Sequence, residues 1–300
     1  MNGEPENEPS IRDIVLFEDG GGPHDARKTS TPPIRERVDV GGDVHIERLP
    51  AELNRKIKSA CAFRGHNWEI HMDTLPTLYA FVRNSPGNGR WDEGQHLQIA
   101  TALSRLCNPT SIGLEFAVRV YAPGARHKTD YVIEPALIAG HGNQAFIPDP
   151  GGRNWLSRDD VADLPAITAA FGGAPERVRR AAWFHEYAAR TEHVPVRLAL
   201  VAAGIEALVH VERTRSTRQF VVRAAGMAID CGLTFTEAQA ADAYDHRSTY
   251  AHGVTVRAAP RPVLIELESV LRSAIRMALL DATYAAVFVT DAAIRARFPL

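Results

Sequence analysis

Thr236-Glu237-Ala238-Gln239-Ala240-Ala241-Asp242-Ala243-Tyr244-Asp245-His246-Arg247-Ser248-Thr249-Tyr250-Ala251-His252-Gly253 reads as one helix with both ends marked. Thr236 followed by Gln239 is a capping-box pattern, and Gly253 has the character of the C′ residue that stops a helix. Within this stretch Arg247 and His252 lie five residues apart, a step that turns a side chain by about 140° on a regular helix. A left-handed Gly253 removes that difficulty, because His252 then becomes the C-cap and can leave the helical path toward Arg247. Ser248, four residues before His252, is placed to orient the imidazole. The bland alternative is an exposed helix end, where a histidine meets the helix dipole and Arg247 pairs with Asp242 or Asp245.

The sequence around this helix continues in the same period. Leu198, Val201, Ile205 and Leu208 recur at steps of three and four, as do Phe220, Ala224 and Met227. After the breaker Pro260-Arg261-Pro262, Leu264, Leu267, Leu271, Ile275 and Leu279 form the longest stripe, predicting a helix that runs into the Thr283-to-Val289 region. Ser157 with Asp160 predicts a helix start, and Pro175 an N1 position. Everything from about residue 157 onward is therefore expected to be helical.

Before Pro148-Asp149-Pro150-Gly151-Gly152 the pattern is different. Residues 1–35 are rich in Gly, Pro, Glu and Asn and predict a mostly disordered lead apart from Ile11 to Phe17. Val38, Val40, Val44 and Ile46 alternate around Gly41-Gly42, a hairpin signal. Pro50 opens a helix through Leu53 and Ile57, and Thr77 to Val82 reads as a strand. Asp92 is a cap for a helix carrying Leu97, Ala100, Leu103 and Leu106, which stops at Asn108-Pro109. Ile112 to Val120 alternates strictly and is expected to be central in a sheet with helices on one side, its other face carrying Glu115, Arg119 and Tyr121. Tyr131 to Ile138 and Gln144 to Ile147 add strands about the Gly140-His141-Gly142-Asn143 turn. The expected fold class is α+β: a mixed α/β domain over 36–152, of unassigned role, then an all-α helical bundle over 153–300.

At a net charge of −2, with 45% hydrophobic and 23% charged residues, the composition is that of an ordinary globular chain. That balance does not announce a nucleic-acid binder, so any RNA contact has to be local. Its cations are mostly arginine, with no lysine after Lys128. The polar opening is no signal peptide, and no apolar run approaches the ~18 residues of a membrane helix. Cys61, Cys107 and Cys231, three and scattered, argue for a reducing compartment, read as cytoplasmic. His66, Glu69 and His71 read as solvated or structurally bonded rather than metal ligands, so neither metal nor cofactor is expected. His185 and Glu186 are expected to pack between helices. No Walker, Rossmann or nucleophile-elbow motif is present.

Arg247-Ser248 with Ala251-His252-Gly253 resembles the R-x-x-x-x-H motif of the HEPN superfamily, in the Arg-Ser … His-Gly form of its abortive-infection (ApeA-like) members. Trp183 to Tyr187, Gly204 to Val209 and an arginine-bearing helix around Arg223 follow the order of such domains, so the resemblance spans roughly residues 175 to 290. It implies a helical bundle, a homodimer with the motifs facing each other, and metal-independent endonuclease cleavage of RNA by a toxin or anti-phage defence effector. It also leaves room for a neutralising or sensing partner protein. Arg247 and His252 are then the catalytic pair, with Ser248, Tyr250 and Glu206 in support. Ser248 departs from the Asn, Asp or His frequent at that place in the family. Glu206, inside an apolar stripe, needs a partner and predicts an ion pair with a bundle arginine. The rival expectation is a non-catalytic module that dimerises and binds RNA, a nucleotide or a protein.

Overall fold

A computed structural model describes residues 11–18, 34, 36–62, 78–85, 89–109, 116–125, 129–136, 156–212, 214–251 and 261–300. The chain forms two compact units, one built on a sheet and one on helices.

The sheet has six strands: β1 (Ile11–Glu18), β2 (Val38–Gly41), β3 (Val44–Arg48), β4 (Leu78–Asn84), β5 (Phe116–Tyr121) and β6 (Val132–Ala136). Their order is β2-β3-β4-β1-β5-β6, with every neighbouring pair antiparallel. Ile11 to Phe17, which the sequence sets apart from its lead, thus lies at the middle of the sheet, paired on both edges. Ile14 faces Val82 on one side and Val118 on the other, and all three are fully buried. Helix α1 (Ala51–Ala62) closes this face by packing Leu53 and Ile57 against them. Burial of such a side chain stabilises by about 1.5–3 kcal/mol. The hairpin forms where expected, with Gly41, Gly42 and Asp43 all at positive φ.

The opposite face corrects the expectation of a polar side. Asp13, Phe81, Ala117, Arg119 and Tyr121 are all at most 9% exposed. Arg119 is held by a two-pronged pair to Asp13 (2.6 and 2.9 Å) and donates to the Gly89 and Arg90 carbonyls, so its charge serves the interior. Asp13 also accepts the Asp92 amide, while the Asp92 carboxylate caps α2 (His96–Cys107) through the Leu97 and Gln98 amides. β5 is interior to the sheet, but the middle pair is β4 and β1. Ile112 to Glu115, His66 to His71, Gly140 to Ile147 and Pro148 to Gly152 lie outside the described residues.

The helical unit comprises α3 (Leu164–Phe171), α4 (Glu176–Ala189), α5 (Val194–Val209), α6 (Ser216–Asp230), α7 (Glu237–Ala251), α8 (Arg261–Leu280), α9 (Ala282–Val287) and α10 (Asp291–Arg297). All the predicted stripe residues of α5, α6 and α8 are buried, none more than 5% exposed. Ser157 and Asp160 exchange capping bonds as expected, but turns follow and the helix begins only at Leu164. Pro175 is the N-cap of α4 rather than its first residue. The long stripe also ends earlier than predicted. Asp281 leaves helical geometry and accepts the Thr283 and Tyr284 amides, which starts α9 as a separate helix.

Two devices hold the bundle. Gly204 lets α4 and α8 close on α5, since a Cβ there would stand 2.6 Å from a Leu271 methyl and 3.4 Å from Phe184 Cβ. At the far end of α5 the buried Arg223 donates to the Val209 and Phe298 carbonyls and to Gln219 Oε1. Gln219 in turn accepts the Val211 and Glu212 amides and donates to the Glu212 and Thr214 carbonyls. The polar groups freed where α5 ends are thereby satisfied inside the fold.

Candidate functional site

Helix α7 begins as the sequence predicts. Thr236 donates its amide to Gln239 Oε1 (2.8 Å), and the Gln239 amide returns to Thr236 Oγ1 (3.3 Å). The capping box fixes the helix at its start, so the positions of Tyr244 and Arg247 on its surface follow from the 3.6-residue period. Ala240 and Ala243 face the core with no exposure, which leaves the half-buried Tyr244, Arg247, Ser248 and Tyr250 toward the bundle surface.

Arg247 is oriented from two sides. Its Nη2 donates to Glu206 Oε2 at 3.0 Å, and its guanidinium carbon lies 5.5 Å over the Tyr244 ring. Tyr244 is itself packed on the buried Phe220, ring centres 5.2 Å apart. The Arg247 side chain keeps 30% of its surface and that of Glu206 19%. Glu206 therefore has the bundle arginine it was expected to need, and that arginine is the motif's own. The Asp242 and Asp245 pairing of the bland alternative does not occur at Arg247; Asp242 instead lies 3.7 Å from the His246 ring.

A guanidinium has five N–H donors. Among the described residues Glu206 is the one hydrogen-bonding partner of Arg247, and the arginine side chain stays partly exposed. A guanidinium held on one side by a carboxylate has the donors to take a phosphate oxygen on another. Tyr250 stands 6.3 Å from the His193 ring, at the entry to α5. Ser248 is half-buried on α7. His252 and Gly253 lie outside the described residues, so Arg247, Glu206 and Tyr250 are the predicted site residues whose neighbours can be named.

Sequence reading missed Tyr244 as the platform of Arg247. The signal was the three-residue step between them, which places two side chains on one helix face. It also missed a cavity of about 670 Å³ on the helical unit, which has Glu206 in its wall beside Arg177, Arg180 and Phe184. The closely spaced cations of Glu176-Arg177-Val178-Arg179-Arg180 were the only hint in the sequence.

His185 and Glu186 do pack between helices, each 1% exposed. Neither ring nitrogen of His185 has a hydrogen-bond partner, and the nearest carboxylate, Glu268, is 3.9 Å away and already held by a two-pronged bond from Arg197. Burial, reinforced by the charges of Arg272, Arg197 and Arg105, pushes the imidazole down to about 3. His185 is a neutral core residue with no access to a substrate. No helix among the described residues is long and apolar enough to cross a membrane. No protein-family model, curated protein or solved structure matches this chain.

Proposed function

We propose that the helical unit is a HEPN-like endoribonuclease, acting in a homodimer and without a metal, and that Arg247 and His252 carry the reaction. The observation that supports it best is the partly exposed guanidinium of Arg247, steadied by Glu206 and Tyr244 on the helix that precedes His252 in the sequence. Cleavage by the RNA's own 2′-hydroxyl needs a base for that proton, an acid for the leaving 5′-oxygen, and positive charge against the pentacoordinate phosphate. One imidazole does not serve as base and acid in the same pass. Two copies related by a two-fold axis supply two, together with two arginines. The 2′-oxygen bonds to phosphorus as its proton passes to one His252, and the P–O5′ bond breaks as the other His252 protonates the departing oxygen. The products are a 2′,3′-cyclic phosphate and a 5′-hydroxyl. The defence or toxin role, and a neutralising or sensing partner, belong to the same reading through the resemblance alone.

The non-catalytic alternative has one observation in its favour: Glu206 neutralises Arg247 in a chain that already carries a net charge of −2. Purified protein incubated with a mixed RNA pool in chelator, beside His252→Ala, separates the two. Cleavage leaving cyclic phosphate ends, lost in His252→Ala, supports the nuclease, and light scattering should then give a dimer. Binding of RNA by both proteins without any cleavage supports the binding module. Cleavage that persists in His252→Ala, or that chelator abolishes and magnesium restores, refutes the mechanism.

A further inference from the structure

The Glu206 carboxylate faces two ways. Oε2 meets Arg247, whereas Oε1 has no partner among the described residues, and the side chain forms part of the wall of the 670 Å³ cavity. The size is that of a small-molecule site. Its apolar surface comes from Phe184, Ala203, Ala207, Phe288 and Val289, and Val289 is 64% exposed at the mouth. An aromatic ring is the natural guest of such walls.

The two arginines at the cavity differ in what they are free to do. Arg177 is committed: it donates to the Ala207 and His210 carbonyls (3.3 and 3.0 Å) and to Asp291 (2.6 Å), which ties α4 to the end of α5 and the start of α10. Among the described residues Arg180 holds only Glu176, one turn back, in a pair whose side chains are 59% and 74% exposed. An exposed pair of that kind contributes little, so Arg180 exchanges its partner for a phosphate at small cost. The His210 ring is likewise occupied, by the Glu212 carbonyl at 2.5 Å. Among the described residues the cavity thus offers apolar walls, a carboxylate with one oxygen that none of them binds, and one releasable guanidinium.

From these features we propose that the cavity is a guanine-nucleotide subsite, with the base between the apolar walls, its N1–H and N2–H donated to Glu206, and its phosphate taken by Arg180. Guanine is the nucleobase whose Watson–Crick edge presents two adjacent N–H donors to a carboxylate. A carboxylate has about four acceptor positions, so Oε2 keeps Arg247 while receiving a second bond. Adenine offers one amino donor beside an acceptor that a carboxylate repels, and uracil is smaller and has a single N–H. Glu206 would then connect base choice to the orientation of Arg247. The role in cleavage rests on the nuclease reading above; the binding does not.

The test uses the full chain and four probes by calorimetry: guanosine, guanosine 5′-monophosphate, adenosine 5′-monophosphate and uridine 5′-monophosphate. Guanosine 5′-monophosphate should bind at least about tenfold more tightly than the uridine nucleotide, because two hydrogen bonds to a charged acceptor are at stake. Glu206→Gln should remove most of that preference, Arg180→Ala should erase the advantage of the monophosphate over guanosine, and Ala207→Phe, which fills the slot, should abolish binding. Equal binding of all the nucleotides, binding of none, or binding unchanged in a folded Ala207→Phe protein overturns the proposal. RNA cleavage without guanine binding defeats the subsite and leaves the nuclease standing. Guanine binding without cleavage supports the subsite and counts against the nuclease.

Discussion

His185→Leu should make the protein less sensitive to acid without harming it at neutral pH. In the folded state the imidazole is 1% exposed, lacks a hydrogen bond on either nitrogen, and faces Arg272, Arg197 and Arg105 as well as the carboxylate of Glu268. Arg105 belongs to the short 105–109 stretch that groups with the helical unit. Burial and these cations lower the folded pKa from 6.5 to about 3. The unfolded chain binds the proton more readily, so the stability tied to a neutral His185 is complete above pH 6.5 and is lost as pH falls toward 3. With those two values, linkage gives a loss of about 1.4 kcal/mol at pH 5.5 and about 2 kcal/mol at pH 5.0. Leucine is close in volume and leaves no orphaned polar atom, so at pH 7.5 it should be neutral or stabilise by up to about 1 kcal/mol. Urea unfolding followed at 222 nm, for both proteins at pH 7.5, 6.5, 5.5 and 5.0, isolates this one group from every other titration. The wild-type deficit relative to His185→Leu should grow by about 2 kcal/mol across the series. A difference that stays flat refutes the claim that His185 is held neutral by its surroundings.

Three further outcomes are expected. Gly204→Ala should cost roughly 1–3 kcal/mol in urea unfolding, since its methyl meets Leu271 at 2.6 Å and the less yielding Phe184 Cβ at 3.4 Å. Arg223→Met should destabilise by about 2–4 kcal/mol in the same assay, because the Val209 and Phe298 carbonyls lose their donor in the interior; an unchanged midpoint would mean water replaces the guanidinium. Arg247→Lys keeps the charge but not the fork, so in the proposed reaction RNA cleavage should fall at least about tenfold with little change in unfolding midpoint.

The helical half was legible because its apolar residues recur at one period and are buried on one side. Thr236, Gln239, Asp281 and Thr290 all cap as local chemistry dictates. Asp281 shows how legibility fails: the apolar pattern of α8 and α9 is nearly continuous, and one carboxylate accepting two amides decides that there are two helices. The sheet was harder to read. Arg119 and Tyr121 alternate with valines and so predict a wet face, yet Asp13, more than a hundred residues away, supplies the counter-charge that lets Arg119 be buried. That pairing is set by strand order, which periodicity does not encode. The site divides in the same way. The proximity of Tyr244 to Arg247 was implicit in a three-residue step, whereas the partner of Glu206 depended on how α7 lies against α5.

The ion pair between Glu206 and Arg247 does not argue against phosphate binding as strongly as its 3.0 Å length suggests. Both side chains retain solvent contact, 30% and 19%, and pairs of that kind are worth about 0–1 kcal/mol. A phosphate approaching the exposed part of the guanidinium need not displace the carboxylate, and its charge-assisted bonds are stronger than a solvated pair. What Glu206 and the Tyr244 ring contribute is a fixed direction for a side chain that otherwise gives up about 2 kcal/mol of rotamer freedom on binding. Placing that order in the free protein lowers the cost of each encounter. In a chain of net charge −2, long-range attraction for RNA is weak, so the proposed reaction relies on an arginine already held in position.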